Sequence, residues 1–420
     1  MSENLYIYSK GGRVMKLIQG GITAAKGYKA AGKHIGIKAK RKDFAMVYSE
    51  VPCVFAGAFT QNVVKAAPVH WNKAILETGR PVRAIAINSG NANAATGLQG
   101  EKDAADTALA VAEALKIDQK EVLVCSTGVI GVTLPMDTIK KGIPVTIEAL
   151  DSDLAGGDAA AEAIMTTDTV KKAIAIEEEI DHKTITVGGM GKGSGMIHPN
   201  MATLLGFITT DVAITKEMLQ KALSRAINTS FNMITVDGDT STNDSVLVLA
   251  NGQAGNEVID SEGPAFDKFY NALYEVCKYL AISIVRDGEG ATKLLEVSLS
   301  GAKNFEEGKC IAKSILTSNL VKTAFFGEDA NWGRIFCAMG YAGIHFDPHQ
   351  VDIAIESNAG VVQMLKAGLP ITFSEEKAKK VLEEKEITIL VQMHEGEAKV
   401  TAWGCDLSYD YVKINGDYRS

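Results

Sequence analysis

The sequence predicts an α/β (α+β) fold of layered sheets with helices, on three observations. Short β-like runs alternate with helical stretches through the first half, turns drawn from the chain's 40 glycines separate them, and one later strand is almost wholly apolar. Such an apolar run is expected where a sheet is covered on both faces. A doubly wound nucleotide-binding fold is the competing architecture.

In chain order, VRAIAIN (Val82 to Asn88) reads as a strand, SGNANAATGLQG as a loop, and Glu101 to Lys116 as a helix. Ala104, Ala108, Val111 and Leu115 recur at the helical period and share one face of that helix. The pattern repeats at Glu121 to Cys125, a strand running into STGVIGVTLP, so two small-residue loops follow two strands. Lys183 to Gly189 is a further strand, GKGSGMIHPNMA an irregular connection, and TLLGFITTD (Thr203 to Asp211) the apolar strand, with Thr203 at its mouth. A helix from about Lys216 to Asn228 follows, with Thr215 as N-cap. Another runs from about Pro264 to Leu280, with Phe266, Phe269, Leu273 and Val276 apolar. The last third adds a helix after Ser374 and a hairpin of ITILVQM and EAKVTAW about a turn at His394 to Gly396. No repeat, low-complexity tract or Pro/Ser-rich linker marks a domain boundary; a change of texture near Glu289 to Leu295 is the one candidate.

With 46% hydrophobic and 22% charged residues, a chain of 420 residues has globular proportions and length for two or three packing units. The net charge of -8 is spread out, with no Lys/Arg block to neutralise phosphates, so neither nucleic acid nor a membrane surface is an expected partner. Six cysteines without a C-x-x-C pair suit buried, reduced thiols. The first residues lack the apolar stretch of a secretion signal, and no run approaches the roughly 18 apolar residues of a membrane span. A cytoplasmic address is expected.

Several motifs fail on their own chemistry. GGMGKGSG (Gly188 to Gly195) resembles a phosphate loop, but Thr186 stands where a Walker A loop needs its first glycine and Gly193 where it needs Ser or Thr. Ser194 lacks the flanking glycines of a nucleophile elbow, since Lys192 and Met196 occupy those positions. His345, Asp347 and His349 are interrupted by Pro348 and lack further ligands at zinc spacing, so no metal is expected. Asn88 to Asn93 reads as a binding loop or as a tight turn whose asparagines tolerate left-handed backbone and cap a helix. Ser126–Thr127–Gly128 reads as a turn or as backbone donors aimed at a developing oxyanion. Ala202–Thr203 reads as a plain strand start or as a self-cleaving junction that frees a threonine nucleophile.

Taken together, GGITAAKGYKAAG, FAGAFTQNVVKAAPV, NSGNANAATG, CSTGVIG, MTTDT, GGMGKGSGMIHPNMATLLGFITTD, RDGEGATK, GEDANWGR and YVKINGDYRS resemble, in order and spacing, the bifunctional ornithine acetyltransferase (glutamate N-acetyltransferase) family. The resemblance extends from near the start to the last residue. It implies a self-processing, N-terminal-nucleophile-like enzyme of arginine biosynthesis, cut between Ala202 and Thr203. The products would be an α chain (1–202) and a β chain (203–420) that stay together as α2β2, the β chain subdividing into a nucleophile-bearing part (203–292) and a C-terminal part (293–420).

The implied reaction moves an acetyl group from N-acetylornithine to glutamate through an ester on Thr203. Thr127 and Gly128 would face the oxyanion, and Thr166, Lys192, Thr203, Glu289, Asn415 and Ser420 would contact substrate, with Thr167 and Thr169 competing for the role of Thr166. No cofactor is required, and acetyl-CoA is left open as a second donor. The alternatives are an amidase or aminopeptidase of the same mechanistic class, with water resolving the acyl-threonine, and a silent amino-acid-binding protein.

Overall fold

A computed structural model describes residues 6–8, 14–198 and 204–417. Ala202, Thr203 and Ser420 lie outside the described residues. The fold is mixed α/β with layered sheets and helices, and it divides into two compact units: Met1–Gly193, Asn200–Asn232 and Thr240–Ile284 form one; Ser194–Pro199, Met233–Asp239 and Val285–Ser420 form the other.

The strands of the first unit are β1 (Tyr6–Tyr8), β2 (Val14–Ile18), β3 (Tyr28–Lys33), β4 (Phe44–Phe59), β5 (Val82–Asn91), β6 (Val122–Val129), β7 (Lys172–Ile180), β8 (Lys183–Lys192), β9 (Leu205–Thr210) and β10 (Ser245–Ala250). Its helices are α1 (Ala67–Thr78), α2 (Gly97–Leu115), α3 (Met136–Glu148), α4 (Leu154–Ala163), α5 (Lys216–Asn228) and α6 (Pro264–Arg286), at whose end the chain enters the second unit. Among the described residues the strands run in the order β1-β2-β7-β8-β9-β10-β4-β5-β6, with β3 on β4. The long β4 joins two sheet segments, since Phe44 to Tyr48 pair with β3 and β5 while Val54 to Phe59 pair with β10.

Period-2 alternation sorts the side chains of β4, β5 and β6 between two cores. Phe44, Met46, Ala84, Ala86, Val122 and Val124 pack with Ala104, Ala108 and Val111 of α2 and with Ile139 and Ile143 of α3. Their neighbours Ala45, Val47, Ile85, Ile87, Leu123 and Cys125 face a second core shared with Phe207 of β9 and Leu247 and Leu249 of β10. Strands covered on both faces account for near-continuous apolar runs.

The second unit holds β11 (Leu294–Ala302), α7 (Phe305–Thr317), α8 (Asn319–Phe326), α9 (Trp332–Gly340), β12 (Asp352–Ser357), β13 (Gly360–Lys366), β14 (Leu369–Pro370), α10 (Glu375–Leu382), β15 (Glu386–Gln392), β16 (Ala398–Cys405) and α11 (Tyr409–Gly416). Its sheet order is β14-β13-β12-β15-β11-β16. The hairpin expected of ITILVQM and EAKVTAW is therefore wrong. β11 lies between the two strands, parallel to β15 and antiparallel to β16, so that Val297 pairs with both Ile389 and Ala402. The amides of Glu395 and Gly396 bond the Gly301 carbonyl, each at 2.9 Å, so the expected turn wraps the end of β11 instead of closing a two-strand ladder.

Other corrections concern element ends. β5 continues to Asn91 and β6 to Val129 because Ser89 and Gly90 pair with Thr127 and Gly128, so much of what reads as loop is ladder. β8 runs on to Lys192, α2 begins at Gly97, and α6 continues to Arg286. α5 starts where expected, with Thr215 Oγ1 accepting from the Met218 amide. Among the described residues no helix is long and apolar enough to cross a membrane.

Candidate active site

In the first unit the ends of β5 and β6 form a shared platform. Ser126 Oγ donates to Asn88 Oδ1 at 2.6 Å, Asn88 Nδ2 donates to the Asn91 carbonyl at 2.8 Å, and the Asn93 amide donates to Asn91 Oδ1 at 2.8 Å. These asparagines serve the turn, and Asn93 takes the left-handed φ of 46° that the residue type tolerates. Gly128 has φ 135°, and a Cβ there would lie 2.3 Å from the Gly90 carbonyl carbon. Only glycine lets the two chain ends approach so closely.

The end of β8 supplies the cation. Lys192 pairs with Leu205, near the start of β9, is 9% exposed, and donates through Nζ to Thr127 Oγ1 at 3.2 Å. Asp168 anchors the surroundings: Oδ1 accepts from Lys172 Nζ at 2.7 Å and from the Gly193 amide at 2.8 Å, and Oδ2 from the Thr166 amide at 3.0 Å. Burial alone would raise the Asp168 pKa, but the charges of Lys192 and Lys172 and the Gly193 amide outweigh it and hold the carboxyl at about 2. It is a permanent anion at neutral pH. Lys38 Nζ donates to the Met165 carbonyl at 2.6 Å; burial, and to a lesser degree the charges of Arg41 and Lys192, lower its pKa to about 8. Asp244, just before β10, is fully buried, and burial pushes its carboxyl well above the usual range.

In the second unit Glu289 is 7% exposed; its amide bonds the Ser194 carbonyl at 3.0 Å, and Oε2 accepts from Asn415 Nδ2 at 2.7 Å. Asn415 lies on α11, and the same nitrogen donates to the Tyr411 carbonyl at 3.0 Å. A Cβ on Gly195 would sit 2.3 Å from Glu289 Oε2, so glycine leaves room for the carboxylate. Burial, then the neighbouring charges of Asp237 and Glu289, push the Tyr411 phenol upward, and its hydroxyl donates to Asp237 Oδ2 at 3.3 Å.

The expected site residues fall into two groups. Thr127, Gly128, Thr166 and Lys192 gather in the first unit, with Thr127 and Lys192 in direct contact; Glu289 and Asn415 are hydrogen-bonded in the second. Thr166 meets Asp168 through its amide, and Thr169 is exposed. Ser194 Oγ donates to the Asp287 carbonyl at 2.7 Å and is buried, which does not fit an exposed nucleophile. Asp347 caps the turn at Pro348–Gln350, and among the described residues no group of His, Cys, Asp or Glu is arranged to hold a metal.

Sequence reasoning missed Asp168, Lys172, Asp237, Asp244 and Tyr411. Asp168 stands inside MTTDT between Thr167 and Thr169, and Lys172 follows four residues later. That spacing was the available signal, but burial of both charges depends on tertiary packing that spacing does not report.

The ArgJ family profile matches residues 29–420. The arginine biosynthesis bifunctional protein ArgJ of Symbiobacterium thermophilum is 53% identical over 409 residues, covering 97% of this chain and 100% of that protein. The protein of the same name from Caldanaerobacter subterraneus subsp. tengcongensis is 52% identical over 406 residues, covering 97% and 100% respectively. A crystal structure of arginine biosynthesis bifunctional protein argJ from Bacillus halodurans is 52% identical with a TM-score of 0.49, spanning 51% of this chain and 99% of that one.

Proposed function

Because the chain belongs to the ArgJ family and is thus a bifunctional acetyltransferase of arginine biosynthesis, we propose that it cuts itself between Ala202 and Thr203 and uses Thr203 to carry acetyl from N-acetylornithine to glutamate. The observation that carries this reading is the buried contact of Lys192 Nζ with Thr127 Oγ1, beside the left-handed Gly128 and in ladder with Leu205.

The chemistry runs in two halves. Cleavage gives Thr203 a free α-amine, whose reference pKa of about 7.7–8.0 leaves part of it neutral in the cytoplasm and able to take the hydroxyl proton. Thr203 Oγ attacks the acetyl carbonyl, the carbonyl π electrons move to oxygen, and collapse expels ornithine, its nitrogen taking the proton. The glutamate amine then attacks the acetyl ester, and N-acetylglutamate leaves as the proton returns to Thr203 Oγ. Each half passes through an oxyanion.

Thr127 and Gly128 are the donors to it. With Thr127 Oγ1 accepting from Lys192, its own hydrogen is free to point at the oxyanion, and a neighbouring ammonium polarises that O–H. Loss of one such donor costs on the order of a hundredfold or more in rate. Lys192 and Thr166 are assigned to substrate carboxylate, Glu289 with Asn415 to ammonium, and Ser420 is a further contact. No cofactor takes part, and the α and β chains remain together as α2β2.

Intact-mass measurement of wild type and Thr203→Ala, each with and without N-acetylornithine, tests the proposal. Wild type should appear as two fragments, the C-terminal one gaining a single acetyl group, and Thr203→Ala as one unlabelled chain. Full activity in an uncut chain would overturn the reading. Accumulation of free acetate in place of N-acetylglutamate when glutamate is added would replace transfer by hydrolysis, the amidase alternative.

A further inference from the structure

Asn243 is buried, 8% exposed, and stands two residues before the start of β10. Its Nδ2 donates to the Ala92 carbonyl at 2.6 Å and to the Ser126 carbonyl at 2.8 Å, and its Oδ1 accepts from Thr242 Oγ1 at 2.7 Å. One side-chain nitrogen thus spends both hydrogens on carbonyls from two different segments, the turn after β5 and the end of β6. The same stretch ties the mouth of β9, because the Ser245 amide bonds the Leu204 carbonyl at 3.0 Å.

The Ser126 carbonyl and the Thr127 Cα belong to one planar peptide unit, so holding the oxygen fixes the Cα from which the Thr127 hydroxyl is directed. The following peptide leads into Gly128, where the Gly90 backbone leaves no space for a side chain. The platform is thus confined by Gly90 and Asn91 at Gly128 and by the Asn243 carboxamide at Ser126.

We infer that Asn243 is a positioning residue for acetyl transfer, holding the Ser126–Thr127 peptide so that the donors of Thr127 and Gly128 meet the oxyanion. This rests on the reading of Thr127 and Gly128 as oxyanion donors. Among the described residues the Asn243 side chain bonds Ala92, Ser126 and Thr242, so it acts through the platform. A role confined to joining the two turns would alter stability and leave the chemistry of matured enzyme intact.

The test compares wild type, Asn243→Asp and Asn243→Ala. Asn243→Asp keeps the shape but turns an oxygen toward the two carbonyls, and Asn243→Ala serves where that repulsion prevents folding. Rates are referred to the matured fraction found by intact mass. The carbonyl stretch of a carbon-13 acetyl group trapped on the enzyme is read by infrared difference spectroscopy. The expected result is a kcat lower by roughly tenfold to a hundredfold, a KM within about twofold of wild type, as for an interaction made in the transition state, and a stretch moved toward that of a free acetyl ester. An unchanged kcat and stretch in the folded variants would overturn the inference. A wild-type stretch already equal to that of a free ester would instead remove the oxyanion reading beneath it.

Discussion

At the scale of single residues, the second-unit cluster turns on space as much as on charge. Glu289 reaches Asn415 because Gly195 presents no Cβ, and an added methyl would overlap both carboxylate oxygens, at 2.3 and 2.5 Å. Gly195→Ala should therefore swing the Glu289 side chain off its partner. Hydrogen bonds to charged groups are worth about 1.5–3 kcal/mol, so the KM for N-acetylornithine should rise about tenfold or more. Asn415→Ala should act in the same direction. Steady-state kinetics check both, and an unchanged KM in Gly195→Ala would separate Glu289 from substrate binding. None of this spacing was legible in the sequence: Glu289 and Asn415 stand far apart in the chain and were joined only through the family resemblance, which carries roles and no distances. Asp168 is illegible for the opposite reason, since it stands beside the family's threonines and nothing local signals a carboxylate 2% exposed.

Among elements, the glycine-rich run Gly188 to Gly195 is the place where a motif and its physics part company. Its spacing already excluded a phosphate loop, and the ladder of β8 supplies the reason for the glycines. A Cβ on Gly188 would lie 2.1 Å from the Gly21 carbonyl oxygen, a backbone atom that cannot rotate away. Gly188→Ala should destabilise the first unit by about 1–3 kcal/mol or more, the usual cost of overpacking. Chemical denaturation of the matured protein, with the lowered midpoint as readout, would show it, and a wild-type midpoint would mean that Gly21 yields easily. The periodic helices α2 and α5 and the apolar run of β9 were legible because their patterns match their packing. The false hairpin was not, because two strands adjacent in sequence were separated in the sheet by β11, and β11 brings the buried Leu295, Val297 and Leu299 between them. Proximity along the chain is a weak guide wherever a third apolar strand competes for the same edge.

For the molecule as a whole, two buried carboxylates of the first unit push stability in opposite directions with pH. Asp168 has a folded pKa of about 2, below its ordinary value, so it contributes stability that is present above pH ~4 and lost as pH falls toward 2. Asp244 is raised by burial, and its Oδ2 has no hydrogen-bond partner among the described residues. Its neutral form suits the fold, so its contribution is complete below the ordinary carboxylate pKa and is lost as pH rises through the folded value. Each group changes the stability by at most about 1.4 kcal/mol per pH unit within its window. Thermal melts of wild type, Asp168→Asn and Asp244→Asn from pH 2 to 9 should therefore diverge in opposite senses. The deficit of Asp168→Asn should shrink from pH 5 toward 2, because the acid form of wild type has also lost the charge that pairs with Lys172. Asp244→Asn should match wild type most closely in acid and gain on it as pH rises, since the carboxamide has no proton to lose. Parallel curves for wild type and Asp244→Asn at every pH would mean that Asp244 ionises normally in the folded protein. The first unit would then tolerate a second buried anion beside the one held by Lys172 and Lys192, and desolvation would not govern its charge balance.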